Sequence, residues 1–334
     1  MKNILKKIDK RLTQNPAKPW ILPPWASKTT TTVHHTSDDE LATEERDSAT
    51  QLPNLTFLIY GANGWIGSQV CHILKRMSHK VVSGVSRIDD EVATEQEILN
   101  VNPDRIISLT GRTHGPGFGT IDYLEQKGKL VENVRDNLFG PMVLAHLSEK
   151  HNIHYTYLGT GCIFNGENYT EESKPDFFGS SYAVVKGFTD RMMHLSYPSV
   201  LNVRIRMPIS ADLNPRNFIT KIIGYKKICS IPNSMTVLPE LLPIMIDMSR
   251  NKLTGTINLT NPGMISHNEI LQMYKEIVDP NFVWENFSLE EQRTILLADR
   301  SNNFLLTDKL VGLYPGVQPI HEAVRNVLVE MKDK

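Results

Sequence analysis

The sequence predicts an α/β fold, a doubly wound parallel sheet with a smaller C-terminal lobe. Three observations predict it. From Leu55 to about Arg206, short apolar runs alternate regularly with amphipathic stretches of helical length, the pattern of a right-handed parallel sheet covered on both faces. The first run, Leu55–Tyr60, leads straight into Gly61-Ala62-Asn63-Gly64-Trp65-Ile66-Gly67. The length, 334 residues, suits one two-lobed unit or two domains.

Residues 1–54 stand apart. Pro16, Pro19, Pro23, Pro24 and Pro53 interrupt them, a threonine run covers 29–32, and the stretch from Asp38 to Asp47 is acidic. No sustained periodicity follows the basic start, so this segment is expected to be a flexible extension unable to bury enough surface to fold alone. Trp20 and Trp25 are unusual in such a tail and would dock on the body or on a partner.

Leu55-Thr56-Phe57-Leu58-Ile59-Tyr60 fits a buried parallel strand, and Trp65 to Met77 has helical spacing. Between them, Gly61 permits the turn, Gly64 lets the backbone approach a pyrophosphate, and Gly67 lets helix and strand pack closely. The helix N-terminus, with Asn63, Trp65 and Ile66 around it, then offers free N–H groups and a positive dipole end to phosphates. The spacing is GxxGxxG rather than GxGxxG, so a plain glycine turn is the alternative. In context it reads as a Rossmann-type dinucleotide clamp. The second strand, Lys80–Val85, ends at Ser86-Arg87 with no acidic residue at its tip; Asp89 and Asp90 come slightly later. Arg87 can pair with a ribose 2′-phosphate, which favours NADPH, with NADH also accepted; otherwise Arg87 is an ordinary exposed arginine.

The third strand is expected at Arg105–Leu109. A long helix follows at Lys129–Lys150, broken only at Gly140-Pro141, with Asn137 inside it. A fourth strand, His154–Leu158, precedes Thr160. Gly179 to Met193 reads as a helix that places Tyr182 and Lys186 four apart on one face. A nearby ammonium favours a phenolate and would lower the tyrosine from about 10 towards neutral. The pair then delivers a proton to a carbonyl oxygen while hydride reaches carbon, both residues also lying at the cofactor with Lys186 on the nicotinamide ribose, and Thr160 adds a hydrogen bond; as a bland alternative, such a pair arises by chance on many helices. After Met207-Pro208 the chain is expected to cross to the smaller lobe, and 256–260 to return as a strand. Arg216, Asn217 and Arg300 are candidates for a diphosphate or sugar, or else surface polar groups.

A net charge of −1 provides no field to recruit nucleic acid or anionic membrane. Cys71, Cys162 and Cys229 are widely spaced, without a metal-ligand pattern or disulfide framework, so a reducing, cytoplasmic compartment and no metal are expected. No apolar stretch approaches membrane-spanning length, and the charged start argues against a secretory signal.

With these motifs the chain resembles the extended short-chain dehydrogenase/reductase superfamily. The strings Leu158-Gly159-Thr160-Gly161-Cys162-Ile163-Phe164, Arg204-Ile205-Arg206-Met207-Pro208, Asn214-Pro215-Arg216-Asn217-Phe218-Ile219-Thr220-Lys221 and Arg300-Ser301-Asn302-Asn303 are similar to those of bifunctional nucleotide-rhamnose synthases, UDP-4-keto-6-deoxy-glucose 3,5-epimerase/4-reductases. The resemblance runs from about Leu55 to near the C-terminus and extends more distantly to dTDP-4-dehydrorhamnose reductases.

That resemblance implies an NADP-binding domain over 55–206 and a mainly substrate-binding lobe over 207–334, with segments returning to the sheet. It implies that Cys162 and Lys221 invert C3 and C5 of a 4-keto sugar, chemistry for which the residue types alone would suggest only a buried thiol and a solvated lysine. It places Gly111 and Met207 with the cofactor and Asn137 beside the substrate. The implied partners are the nucleotide sugar, a separate upstream 4,6-dehydratase and a second copy in a homodimer. Two other readings stay open, a reductase without epimerase activity and a non-catalytic NADP-binding regulatory subunit. The loop Gly111-Arg112-Thr113-His114-Gly115-Pro116-Gly117-Phe118-Gly119-Thr120-Ile121-Asp122 is longer than the family pattern and bears on the sugar contacts, with His114 either touching substrate or simply exposed.

Overall fold

A computed structural model describes residues 54–333. Apart from Asn54, the expected N-terminal extension with Trp20 and Trp25 lies outside the described residues.

Six parallel strands form the central sheet: β1 (Thr56–Tyr60), β2 (Lys80–Ser83), β3 (Arg105–Ser108), β4 (His154–Thr160), β6 (Val200–Ile205) and β10 (Gly255–Asn258), with β5 at Gly166–Tyr169 and β7 to β9 at Pro208–Ile209, Lys227–Ile228 and Thr236–Val237 outside it. Their order is β10-β6-β4-β3-β1-β2. The chain leaves β1 first to one side and then to the other, so the switch point lies between the carboxyl ends of β1 and β3, where open α/β sheets bind ligands. The architecture is the Rossmann-type parallel sheet that the alternating pattern predicts. The segment expected to return does so, and Ile257 of β10 lies in register with Val203 of β6.

Helix α1 (Trp65–Arg76) buries Gly67, Val70 and Leu74, one stripe at helical spacing. They join Phe57, Ile59 and Ile107 in the core on one sheet face, and the helix Leu238–Arg250 packs against the same core with Leu241, Leu242 and Met245. Arg105, buried in β3, reaches the end of that helix and donates to the Ser249 and Arg250 carbonyls, each at 2.7 Å. A cation there satisfies orphan carbonyls at the negative end of the helix dipole. A second core is built from Ile209, Ile219, Ile265, Leu271, Val324 and Leu328 among others.

The expected break at Gly140-Pro141 is not a break. Leu130–Val134 and Gly140–Lys150 are α-helical, and the five residues between them, Arg135–Phe139, form a π-turn. Pro141 has no N–H to offer the Asn137 carbonyl four residues back. That carbonyl instead accepts from the Thr189 hydroxyl at 2.7 Å. The chain widens by one residue rather than ending, as π-bulges beside functional sites often do.

Candidate active site

The glycine turn has the geometry of a phosphate cradle. Gly61 sits at φ +82°, open to glycine and strained for other residues. A Cβ on Gly67 would stand 2.0 Å from the Gly61 carbonyl oxygen. Gly64 caps α1 with extended backbone and no side-chain cap, leaving the helix end to an external anion. Asn63 is exposed, Ile66 packs against the core, and the Trp65 indole donates to Asp212 at 2.8 Å, tying the clamp to the loop after β7. These residues fit a dinucleotide. Gly67→Ala is expected to weaken NADPH binding at least about fivefold, since overpacking at backbone costs about 1–3 kcal/mol; titration of NADPH fluorescence checks it, and unchanged affinity would remove Gly67 from the cradle.

At the tip of β2, Arg87 is well exposed and its guanidinium lies 2.8 Å from Asp89 and 3.5 Å from Asp136. The sequence shows no acid at this tip, but the fold supplies one. Glu97, from the helix Glu91–Val101, accepts from Val85 N at 2.7 Å, Ser86 N at 3.1 Å and the Tyr60 hydroxyl at 3.0 Å. Burial pushes this carboxyl up, yet its hydrogen bonds outweigh that and hold it below the usual carboxylate range. Helical spacing within 91–101 carries no signal for this contact.

The helix Ser181–Ser196 begins two residues later than expected, with Ser180 capping Ala183 N. It is clamped to β6 by a buried bidentate pair, in which Arg204 Nε and Nη2 each lie 2.7 Å from Asp190. Its first residue is tied to the 3-10 turn Ile121–Glu125, through Ser181 N to Glu125 at 2.8 Å. Tyr182 and Lys186 are therefore fixed, and both are buried. Tyr182 packs with Tyr123, Leu124, Phe118, Ile121 and Cys162. The Thr160 hydroxyl accepts from Cys162 N at 3.1 Å, and Thr160 and Cys162 both lie beside the Tyr182 hydroxyl. Arg206 braces that turn from behind, donating to Gly161 O at 3.2 Å and Ser301 Oγ at 2.8 Å.

One expectation about the pair is overturned. Lys186 does not draw Tyr182 towards neutrality; its Nζ donates to the Tyr157 hydroxyl. Burial raises the Tyr182 hydroxyl above its ordinary value, a negative charge on Cys162 would add to this, and Thr160 pulls the other way. Tyr182 thus stays a protonated phenol, the form that can donate to a ketone oxygen. Burial lowers Lys186 to about 8, with Asp190 and Cys162 opposing it.

Lys221 lies on the helix Phe218–Ile223, whose Ile219 and Ile222 face the second core. Burial lowers Lys221 below the ordinary lysine value, and Arg216 and Arg300 lower it further. The long loop is not loose. Asp122 accepts from Ala298 N at 2.9 Å and Arg300 Nη2 at 2.7 Å, and His114 accepts from Arg216 Nη2 at 2.7 Å. Burial, then the charges of Arg216, Arg112 and Lys221, hold His114 below the usual imidazole range. Arg300 and Arg216 therefore stand beside Lys221 and hold the loop, while Cys162 and Tyr182 reach the same loop through Phe118, Ile121 and Tyr123. No hydrogen bond joins Lys221 to Cys162 among the described residues.

Two candidates change role. Asn137 is buried and committed: its amide donates to Arg112 O and Asn133 Oδ1 and accepts from Arg112 N. It braces the exit of β3 at Gly111, where a Cβ would meet Asn137 Oδ1 at 3.1 Å. Asn217 caps its helix and donates to Ser210 O at 2.7 Å and Asp212 O at 2.6 Å. Neither amide has a donor left for a sugar. Met207 adopts φ +38°, a left-handed bend where the chain leaves β6. Asp122, Glu97 and Tyr157 are the residues that no motif marks.

Fold and site define an oxidoreductase of the extended short-chain dehydrogenase/reductase type, with relatives that also isomerise. The chain belongs to the NAD-dependent epimerase/dehydratase family, whose model matches residues 57–225. The crystal structure of the L780 UDP-rhamnose synthase from Acanthamoeba polyphaga mimivirus is 59% identical, superposes with a TM-score of 0.83, and covers 84% of this chain and 100% of its own. A bifunctional dTDP-4-dehydrorhamnose 3,5-epimerase/reductase of Arabidopsis thaliana is 40% identical over 84% of this chain and 95% of its length. A trifunctional Arabidopsis UDP-glucose 4,6-dehydratase/3,5-epimerase/reductase is 41% identical over 82% of this chain and 42% of its own length. No helix among the described residues is long and apolar enough to cross a membrane, and no cluster there could hold a metal.

Proposed function

We propose that this protein epimerises UDP-4-keto-6-deoxy-glucose at C3 and C5 and reduces the C4 ketone, giving UDP-L-rhamnose. The observation that carries the reading is the convergence of Thr160 and Cys162 on the Tyr182 hydroxyl. Protons on C3 and C5 are alpha to the ketone, so a base removes each to leave an enolate and an acid returns a proton to the opposite face. Cys162 and Lys221 take these roles, and a lysine lowered by burial is suited to gaining and losing a proton near neutrality. Thr160 and Tyr182 face the oxygen and stabilise the enolate. Tyr182 then gives its proton to O4, and the Lys186 ammonium, one turn along the same helix, favours the phenolate that is left. NADPH, when bound in the glycine cradle, supplies the hydride to C4; NADH is a second donor. Arg216 and Arg300 orient the nucleotide diphosphate from the mouth.

Arg87 faces the 2′ corner in this reading. Arg87→Ala is expected to raise the KM for NADPH about tenfold and leave that for NADH nearly unchanged, the loss of about one charge-assisted hydrogen bond. Equal effects on both would contradict it. In the same reading the dehydratase that supplies the keto sugar is a separate activity, and residues 207–334 mainly bind substrate.

The whole reading is tested by offering UDP-4-keto-6-deoxy-glucose and, separately, already epimerised UDP-4-keto-rhamnose, each with NADPH. Consumption of both supports the bifunctional assignment. Consumption of the second alone would leave a plain reductase, and consumption of neither with intact NADPH binding would point to a regulatory subunit.

A further inference from the structure

Tyr157 belongs to no motif, yet it is the group that Lys186 touches. It lies fully buried on β4, three residues before Thr160. Its hydroxyl accepts a hydrogen bond from Lys186 Nζ, and that nitrogen stands 4.5 Å from the ring centroid. Tyr157 thus offers the ammonium a hydroxyl oxygen, the feature that stabilises a desolvated cation here.

The groups around Lys186 leave it little else. Asp190, one turn further along the same helix, has its oxygens taken by Arg204 and Asn202. Tyr182 lies one turn back on that helix, Cys162 on the turn after β4, and Tyr155 behind Tyr157 on the same strand face. Burial keeps the Tyr157 hydroxyl protonated far above neutral pH, so the oxygen facing Nζ is a neutral acceptor throughout the working range.

We infer that Tyr157 is the positioning residue of the reduction, holding the Lys186 ammonium in place and in its charged form beside Tyr182. The inference rests on the reading that Tyr182 and Lys186 deliver the proton. Its consequence is directional. Burial already lowers Lys186 to about 8. Removing the oxygen withdraws a bond made to the charged form, so Lys186 titrates lower still, and any step that needs the ammonium is lost at lower pH.

Tyr157→Phe keeps the ring and its volume and removes the oxygen. With UDP-4-keto-rhamnose and NADPH, the alkaline limb of kcat is expected to move about one pH unit lower, and the rate at pH 8 to fall about fivefold, a charged hydrogen bond being worth at least one pKa unit. KM should stay within about twofold on the same grounds, because Tyr157 lies behind the lysine and not at the substrate. A merely structural role would lower kcat without moving the limb, and that result overturns the inference.

Nitrogen-15 NMR of lysine-labelled protein, with the Lys186 signal identified by its loss in Lys186→Arg, reads the coupling without turnover. If wild type reduces substrate but Lys186 titrates alike in both proteins, Tyr157 has no such role. If wild type does not reduce but the titration moves, the coupling stands and the proton-delivery reading falls. Should Tyr157→Phe not fold, wild type decides. Slow solvent exchange of the Lys186 Nζ protons at neutral pH supports the bond, and exchange as fast as that of surface lysines overturns it.

Discussion

Replacing Tyr182 with phenylalanine is expected to lower NADPH-dependent reduction by about 10²–10⁴-fold, the usual contribution of a positioned general acid. The ring packs with Tyr123, Leu124 and Cys162, and the substitution keeps that packing. The loss therefore reports the proton and not the fold. Exchange of the C3 and C5 protons should persist at a reduced level, because Thr160 still faces the enolate oxygen. Stopped-flow NADPH oxidation and proton exchange followed by NMR separate the two. Loss of both activities would mean that Tyr182 shapes the pocket or is needed to stabilise the enolate.

Cys162→Ala is expected to do the opposite. Loss of the thiol should cut C3/C5 exchange by about 10²–10⁴-fold, again the scale of acid–base catalysis. Reduction of UDP-4-keto-rhamnose should stay within a few-fold of wild type, since Tyr182 and Lys186 are untouched. Cys162 is only partly buried and its backbone N–H is held by Thr160, so the alanine leaves the turn in place. Unchanged UDP-rhamnose formation from UDP-4-keto-6-deoxy-glucose would remove Cys162 from the mechanism and return it to the status of a small buried side chain.

The legible parts of this molecule were those written locally. The glycine cradle is seven consecutive residues between a strand and a helix, and each glycine has a backbone reason that sequence can state. Tyr182 and Lys186 share a helix face by spacing alone. What escaped is what the fold brings together from far apart. Asp122 meets Arg300 across 178 positions, and Tyr157 meets Lys186 across 29. In sequence, Tyr157 is one apolar residue of a buried strand. Glu97 supplies the acid at the tip of β2 from a helix whose own pattern gives no reason to look there.

Asn137 and Asn217 mark a different limit. An amide that could bind a sugar is the same amide that braces a loop, and only the hydrogen-bond partners tell them apart. Both spend their donors on backbone or a neighbouring side chain. The π-turn at Arg135–Phe139 shows a similar limit. Proline inside a helical pattern signals a stop, yet Thr189 replaces the missing donor from another helix and the chain continues. The expected fall of the Tyr182 pKa failed because helical spacing sets which side chains are neighbours and not which of them bond.

The central claim is that two chemistries share one pocket. The measurement that tests it most directly is incubation of the protein with UDP-4-keto-6-deoxy-glucose and NADPH in heavy water, read by mass spectrometry and proton NMR. The account predicts UDP-rhamnose carrying deuterium at C3 and C5 and hydride-derived hydrogen at C4. NADPH oxidation without label at C3 and C5 would contradict it.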